Sequence, residues 1–428
     1  MKRSTIAVSL LFAVACGVTP PGPGAAAAER RADAAPLDRS DSDWPQWRGP
    51  GRDALSPQTG LLRAWPESGP EIVWRIPAGA GFSGVTVAGG RLYTLWDENG
   101  RQFLVSLDAA TGREVWRRPL GAAFTHPYGD GPRSTPLVDG RFVFAIGTDG
   151  LLLAADARSG DPLWQHDLVR EFDASLPSYG FATSPLLTGG KLVVEAGGAA
   201  ASFIAFDRTT GRVAWQAGGD RPAYSSPIAI TIDGATQVVF WSAHGLHALS
   251  ADRGTALWNY PWESLCPVTG DPLNTATPIF MPPDRIFLSS GSGAAAIRIV
   301  LSGNAPRYSV ETVWTSGAMR SDVNTSLLFD GHIYGFDRGT LKSLDAGTGE
   351  VRWKARGFER GSLIAADGTL IVLGEGGNLA LVDATPDAFV QRAAAQVMAG
   401  RNWTSPSLAG HRLYLRNHEE LVCIDLRG

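Results

Sequence analysis

From Trp44 onward, apolar and polar positions alternate in short runs, and Gly-containing turns separate one run from the next. Alternation with a period of two marks half-buried strands, whose successive side chains point to opposite faces. Residues 133–164, RSTPLVDGRFVFAIGTDGLLLAADARSGDPLW, show the unit. They predict four strands with turns at Asp139-Gly140, Asp149-Gly150 and Ser159-Gly160. The unit begins with small polar residues before a Pro and ends on an Asp, a Thr-Gly or Ser-Gly turn and a Trp.

The closing Trp residues are Trp74, Trp116, Trp164, Trp215, Trp258, Trp314 and Trp353, and their spacings run from 39 to 56 residues. That is the span of a four-stranded propeller blade. Residues 360–391 keep the hairpins but carry LVDATPDAFVQ, with Gln391 where the Trp is expected. The ends are complementary. Residues 71–74 form a fourth strand with nothing before it, and residues 405–426 form three strands with no fourth. Joined, they complete a blade, close the ring and remove its exposed edges. The fold expected is all-β: an eight-bladed β-propeller of four-stranded blades, occupying 44–428 as one domain.

The chain has 428 residues, of which 44% are hydrophobic, enough for a core of that size. A net charge of −4 gives no basic footprint for nucleic acid. Seven His and three Cys leave little stock for metal clusters. Met1-Lys2-Arg3 followed by the apolar stretch 6–15 reads as an export signal, too short to span a bilayer. Ala13-Val14-Ala15-Cys16 resembles a lipobox, which makes Cys16 the acylation site; an ordinary signal cleaved at Ala15 or near Ala28 is the alternative. Residues 17–43, rich in Ala, Pro and Gly, suit a flexible tether. The expectation is an exported, periplasmic monomer that meets membrane only through a lipid on Cys16.

The repeats resemble those of the bacterial pyrroloquinoline quinone (PQQ) repeat family, whose motif runs roughly Ala-x-Asp-x-x-Thr-Gly-x-x-x-Trp. Asp108, Thr111, Gly112 and Trp116 match it, as do Asp207, Thr210, Gly211 and Trp215, and Asp345, Thr348, Gly349 and Trp353. Asp156, Gly160 and Trp164 match with Ser159 for Thr. Ser250 replaces the Asp before Gly254 and Trp258, and the unit at Trp314 keeps little but the Trp. The resemblance implies that the Trp packs on the neighbouring blade and that the turn lets backbones approach. A large ring fills the wedge and its N–H finds a carbonyl, while Gly supplies positive φ or close approach. The recurring residues are therefore structural. The opening DWPQWRGPGRDALSP also resembles the start of many exported members with no assigned enzyme activity.

Function must then sit on a face or in the channel. Innermost strands start with Ser134-Thr135-Pro136, Thr183-Ser184-Pro185, Ser225-Ser226-Pro227, Ala276-Thr277-Pro278 and Thr404-Ser405-Pro406. Because Pro is tolerated at a strand's first residue, the residues just before it are expected to ring one channel mouth. They are His126, Tyr128, Asp130, Arg133, Tyr179, Tyr224, Asn274, Arg320, Asp322, Asn324, Arg401, Asn402 and Trp403. Mixed cations, carboxylates and aromatics around a concavity suit a small ligand or peptide; strand capping by solvated polar groups is the alternative. His244 and His247 are three apart, which in a strand puts them on opposite faces and argues against a metal site. GSGAAA near Gly291 lies in a hairpin, not ahead of a helix, so a dinucleotide loop is excluded. Cys266 and Cys423 belong to well-separated blades, so no disulfide is expected.

Two function classes follow. One is a non-catalytic exported propeller, similar to the outer-membrane assembly lipoprotein of eight such blades, which binds an envelope protein or peptide and needs no cofactor. The other is a quinoprotein dehydrogenase oxidising an alcohol or sugar, with PQQ over the channel and Ca²⁺ polarising it. Asp130 or Asp322 would then be base or metal ligand. The chain has no adjacent Cys pair and no Cys-x-x-Cys-His haem site, and its blades are near minimal length. These features favour the first.

Overall fold

Eight antiparallel four-stranded blades, the seventh extended by one short parallel strand, follow one another around the ring in the computed structural model, which describes residue 40 and residues 42–266, 270–303 and 307–428. The stretch read above as an export signal and Cys16 lie outside the described residues. Blades 1 to 7 cover 86–122, 137–167, 186–217, 228–261, 279–316, 327–355 and 362–396. Blade 8 joins the strand Glu71–Pro77 to the last three strands, with Trp74 opposite Cys423. The ring closes as the sequence predicts. Among the described residues the one helix is the single turn Leu168–Phe172, with Asp167 as its N-cap.

The repeat motif works between blades. Asp108 Oδ1 accepts from the Thr111 amide (2.9 Å) and hydroxyl (2.7 Å), and Asp207 and Asp345 hold Thr210 and Thr348 in the same way. These bonds hold the three carboxyls below their usual range. The Gly that follows stands at positive φ under the Trp of the preceding blade. At Gly211 (φ +71°) an added Cβ would lie 2.7 Å from the Trp164 ring. Each ring then donates its N–H to the same turn: Trp74 to Ala109 O (3.2 Å), Trp116 to Ala157 O (3.2 Å), Trp215 to Ala251 O (3.0 Å) and Trp314 to Ala346 O (3.1 Å). Trp258 departs from the rule and donates to Gln237 Oε1 (2.7 Å) of its own blade. Blade 7 lacks the Gly and Trp, yet Trp353 still reaches Thr385 O (2.7 Å) and packs edge-on against Phe389.

The small-polar-Pro starts have a structural use as well. The Gly84 amide donates to Thr135 Oγ1, the Thr135 amide to Ser184 Oγ and the Ser184 amide to Ser226 Oγ, at 2.9–3.0 Å. The Thr277 amide donates to Thr325 Oγ1 in the same way (2.9 Å). Neighbouring inner strands do not pair as a sheet, so a hydroxyl at the residue before the Pro, or before Ser326 in blade 6, satisfies the amide of its counterpart.

The opening segment enters the channel. Trp44 bridges to Val87 in blade 1, Pro45 O accepts from Val138 in blade 2, and Leu55–Ser56 pairs in parallel with blade 7. Between them Arg48 and Arg52 are buried at 4% and 6% exposure. Arg48 donates to Thr325 O (3.2 Å) and Ser326 O (2.7 Å), and Arg52 to Pro185 O (2.8 Å) and Ser184 O (3.2 Å), so two cations tie opposite sides of the ring. Burial pulls Arg48 down to about 10 and Arg52 to about 9. Both stay charged at neutral pH, held by carbonyl dipoles.

Candidate functional site

The loops that link each outer strand to the next inner strand, with the middle hairpins, form one face of the ring; the Asp-Thr-Gly turns lie on the other. On the loop face a cavity of about 380 Å³ opens over the channel. Its walls include Phe82, Tyr128, Arg133, Tyr179, Tyr224, Asp322, Arg360 and Trp403, and Trp47 of the inserted segment lies among the lining residues. Trp47 is fixed by its N–H to Thr277 Oγ1 (3.0 Å), so the channel is a funnel with a floor.

Six residues of the sequence-derived ring come together here: Tyr128, Arg133, Tyr179, Tyr224, Asp322 and Trp403. Tyr179 and Tyr224 meet edge to face at 5.2 Å, and Tyr128 lies 6.1 Å from Tyr179. Phe82 stacks on Trp403 at 5.4 Å, and Trp403 donates to Glu375 Oε1 (2.9 Å). The Arg133 guanidinium lies over both Phe82 (5.5 Å) and Phe124 (5.1 Å) and donates to Gly131 O and Gly129 O, each at 2.8 Å. Asp322 stands 3.7 Å from Arg360. Burial pushes the Tyr224 and Tyr179 phenols up, so both are neutral donors at physiological pH.

The other seven are placed elsewhere. His126, Asp130 and Arg401 line a second, polar hollow of about 310 Å³ with His418 and Glu419. Asp130 closes its own turn by accepting from the His126 amide (2.9 Å). Asn274, Asn324 and Asn402 are buried staples that donate to carbonyls: Asn274 to Ser242 O (2.8 Å), Asn402 to Glu375 O (3.1 Å), and Asn324 to Gly361 O. Arg320 turns to Asp337, with Nε 2.8 Å from Oδ1, and Lys342 shares that carboxylate. Charge reversal at Arg320 therefore places two carboxylates together and costs stability, so it is unsuitable as a surface probe.

Phe82, Arg360 and Trp47 escaped the sequence reading. Phe82 and Arg360 hold the pre-strand place in blades 1 and 7, whose inner strands lack the Pro used as a marker. Trp47 reaches the funnel only because a distant segment inserts.

The two histidines also differ from expectation. His244 lies in the turn before the strand Gly245–Ser250, so strand alternation does not govern it. Both rings converge on Asp220: His244 Nδ1 at 2.5 Å from Oδ1 and His247 Nε2 at 2.9 Å from Oδ2. Burial raises the Asp220 carboxyl, but these hydrogen bonds outweigh it and hold the group below the usual range. Nearby Glu195 is buried at 1% exposure, accepts from Ser242 Oγ (2.7 Å), and is pushed up to about 8 by desolvation. The unfolded chain loses that proton near pH 4.5 and the folded chain near 8, so stability falls as pH rises between them. Glu195→Gln should match wild type at pH 5 and exceed it at pH 8 by up to about 4 kcal/mol; denaturant melts at both pH values check this.

A Ca²⁺-held quinone needs several oxygen ligands, carboxylates among them. Asp322 is the one carboxylate on the described funnel wall, and Arg360 faces it. No group of three His, Cys, Asp or Glu able to hold a metal ion occurs among the described residues. That donor set does not fit the group.

Comparison with known proteins agrees with the fold. The family model for outer membrane protein assembly factor BamB matches residues 58–178 and 138–355. Outer membrane protein assembly factor BamB of Yersinia pestis is 26% identical over 260 residues, 56% of this chain and 60% of that one. Serine/threonine-protein kinase AfsK of Streptomyces griseus is 30% identical over 179 residues, 40% of this chain and 21% of the kinase. The chain thus spans less than two thirds of either relative. The crystal structure of quinohemoprotein alcohol dehydrogenase from Comamonas testosteroni superposes with a TM-score of 0.64 over 92% of this chain and 81% of its own, at 14% identity, a likeness of fold alone. The family match runs over well more than half of the sequence and through six of the eight blades, and on that ground the chain belongs to the outer membrane protein assembly factor BamB family.

Proposed function

We propose that the protein is a non-catalytic scaffold of the bacterial cell envelope that docks a protein partner on its funnel face and works without a bound quinone. One observation carries the reading. Among the described residues, four of the nine large exposed apolar side chains, Tyr128 (56%), Leu176 (57%), Leu265 (50%) and Val323 (42%), lie in loops between an outer strand and the next inner one. Tyr128 and Val323 line the funnel itself, and exposed apolar area rimmed by polar groups marks an interaction surface. Membership in a family named for outer membrane protein assembly supports the compartment and the kind of partner.

The described chain begins on the opposite face. The Gly410 amide donates to Ser42 O (2.9 Å) and the Gly89 amide to Asp43 (3.4 Å), both at turns remote from the funnel. A lipid on Cys16 would hold the propeller at the membrane through the segment that precedes it. Cys16→Ala should move the protein from the membrane fraction to the soluble periplasmic fraction.

The docking reading is tested with Tyr128→Asp/Val323→Asp, which places two charges on exposed rim positions. Co-purification of envelope partners should fall at least tenfold with the melting temperature unchanged. An unaltered partner set would contradict docking at this face.

A further inference from the structure

Resting on the reading that the funnel face is where this protein binds, we infer that the funnel receives a carboxylate carried on an aromatic or branched apolar body, with Arg133 as its anion receptor. The cations around the mouth differ in their partners. Arg320 is paired with Asp337 and Arg360 faces Asp322, whereas the described residues put no carboxylate in ion-pair contact with Arg133. Asp130 and Asp97 act on it from a distance, and Asp97 is itself pushed up to about 6 by burial. A half-buried cation without a counter-ion is costly unless other groups compensate.

Two carbonyls and two aromatic faces hold the Arg133 guanidinium in one orientation, as described above. The carbonyls use two of its five N–H donors, which leaves three on a residue that lines the cavity, and a planar guanidinium suits a carboxylate. The groups around the fork favour an anion. Tyr179 and Tyr224 remain neutral and bring phenol donors. His126 and His418 are held uncharged by desolvation and by neighbouring Arg residues, so neither repels nor outcompetes Arg133.

The funnel also offers apolar and aromatic surface, with Trp47, Phe82, Trp403, Leu273 and Val323 among its lining residues, beside the Asp322–Arg360 pair and several small hydroxyl residues. Its volume of about 380 Å³ admits one or two residues or a small acid, and no folded domain. Such a guest can come from a free small molecule or from an acidic residue beside an apolar one in a partner's extended segment. The chemistry at Arg133 is the same in both.

The test is calorimetric titration of the wild-type Trp44–Gly428 propeller at pH 7 and low salt. The probes are N-acetyl-phenylalanine, its carboxamide, and end-blocked peptides containing Asp-Phe or Asn-Phe. The inference expects each carboxylate to bind at least tenfold more tightly than its amide, with the preference lost in Arg133→Gln and partly kept in Arg133→Lys. Preference for Asp-Phe over Asn-Phe assigns the guest to a partner segment, and preference seen only with the free acid assigns it to a small molecule. Equal binding of acid and amide, or no binding by any probe, overturns the inference. The wild-type comparison decides even if Arg133→Gln fails to fold. If no probe binds while Tyr128→Asp/Val323→Asp still abolishes partner capture, the docking reading survives and the carboxylate guest does not.

Discussion

Trp215→Ala should lower unfolding stability by about 3–5 kcal/mol, as for other buried Trp truncations. The ring fills the wedge between blades 3 and 4, and its loss leaves a cavity there and orphans Ala251 O. The partner substitution comes from the opposite side of the contact. An added Cβ at Gly254 would lie 2.6 Å from the Trp215 ring, at φ +68°, so Gly254→Val should be comparably damaging. Because the two residues share one contact, the double variant should lose less than the sum of the singles. Trp116 and Trp314 are only half-buried and should cost less when truncated. Thermal melts of the four single variants check the ranking. Equal and small losses throughout would mean that the repeated Trp does something other than hold blades together.

The second large effect concerns the inserted segment. Arg52→Ala should cost about 3–5 kcal/mol, since it strands the buried carbonyls of Ser184 and Pro185 inside the ring. Arg48→Ala acts on the far side by freeing Thr325 O and Ser326 O. Either change should also loosen Trp47, so quenching of Trp fluorescence by acrylamide should rise along with the fall in melting temperature. Retained stability with unchanged quenching would show that the segment merely rests in the channel.

The architecture was readable because it is built from local rules repeated many times. An Asp that caps its own turn, a Gly that must take positive φ and a Trp four residues later fix each blade within a short span of chain. Ring closure was readable from the ends alone, since Glu71–Pro77 had no sheet of its own. The site was partly readable by the same logic: a Pro opening an inner strand places the residues before it at the mouth, which located Tyr179, Tyr224 and Trp403. The rule cannot distinguish a side chain that faces the funnel from one that turns back to staple a loop, as Asn274 and Asn402 do, because that choice depends on carbonyls of the preceding blade. The insertion of Trp44–Leu55 was beyond it altogether. Arg48 and Arg52 look like surface residues in sequence, and only the ring of inward carbonyls makes burial tolerable.

The central claim is that the repeated motif builds the ring and the funnel face does the binding. Site-specific photo-crosslinking in living cells tests it most directly. A photoreactive residue would replace Tyr128, Leu176 or Val323 at the funnel rim, and Val115, Val213 or Val351 on the exposed outer strands. Adducts to envelope protein from the rim positions, with none from the outer strands, are the predicted result. Adducts concentrated on Val115, Val213 or Val351 would contradict the account and move the binding surface to the outer rim of the ring.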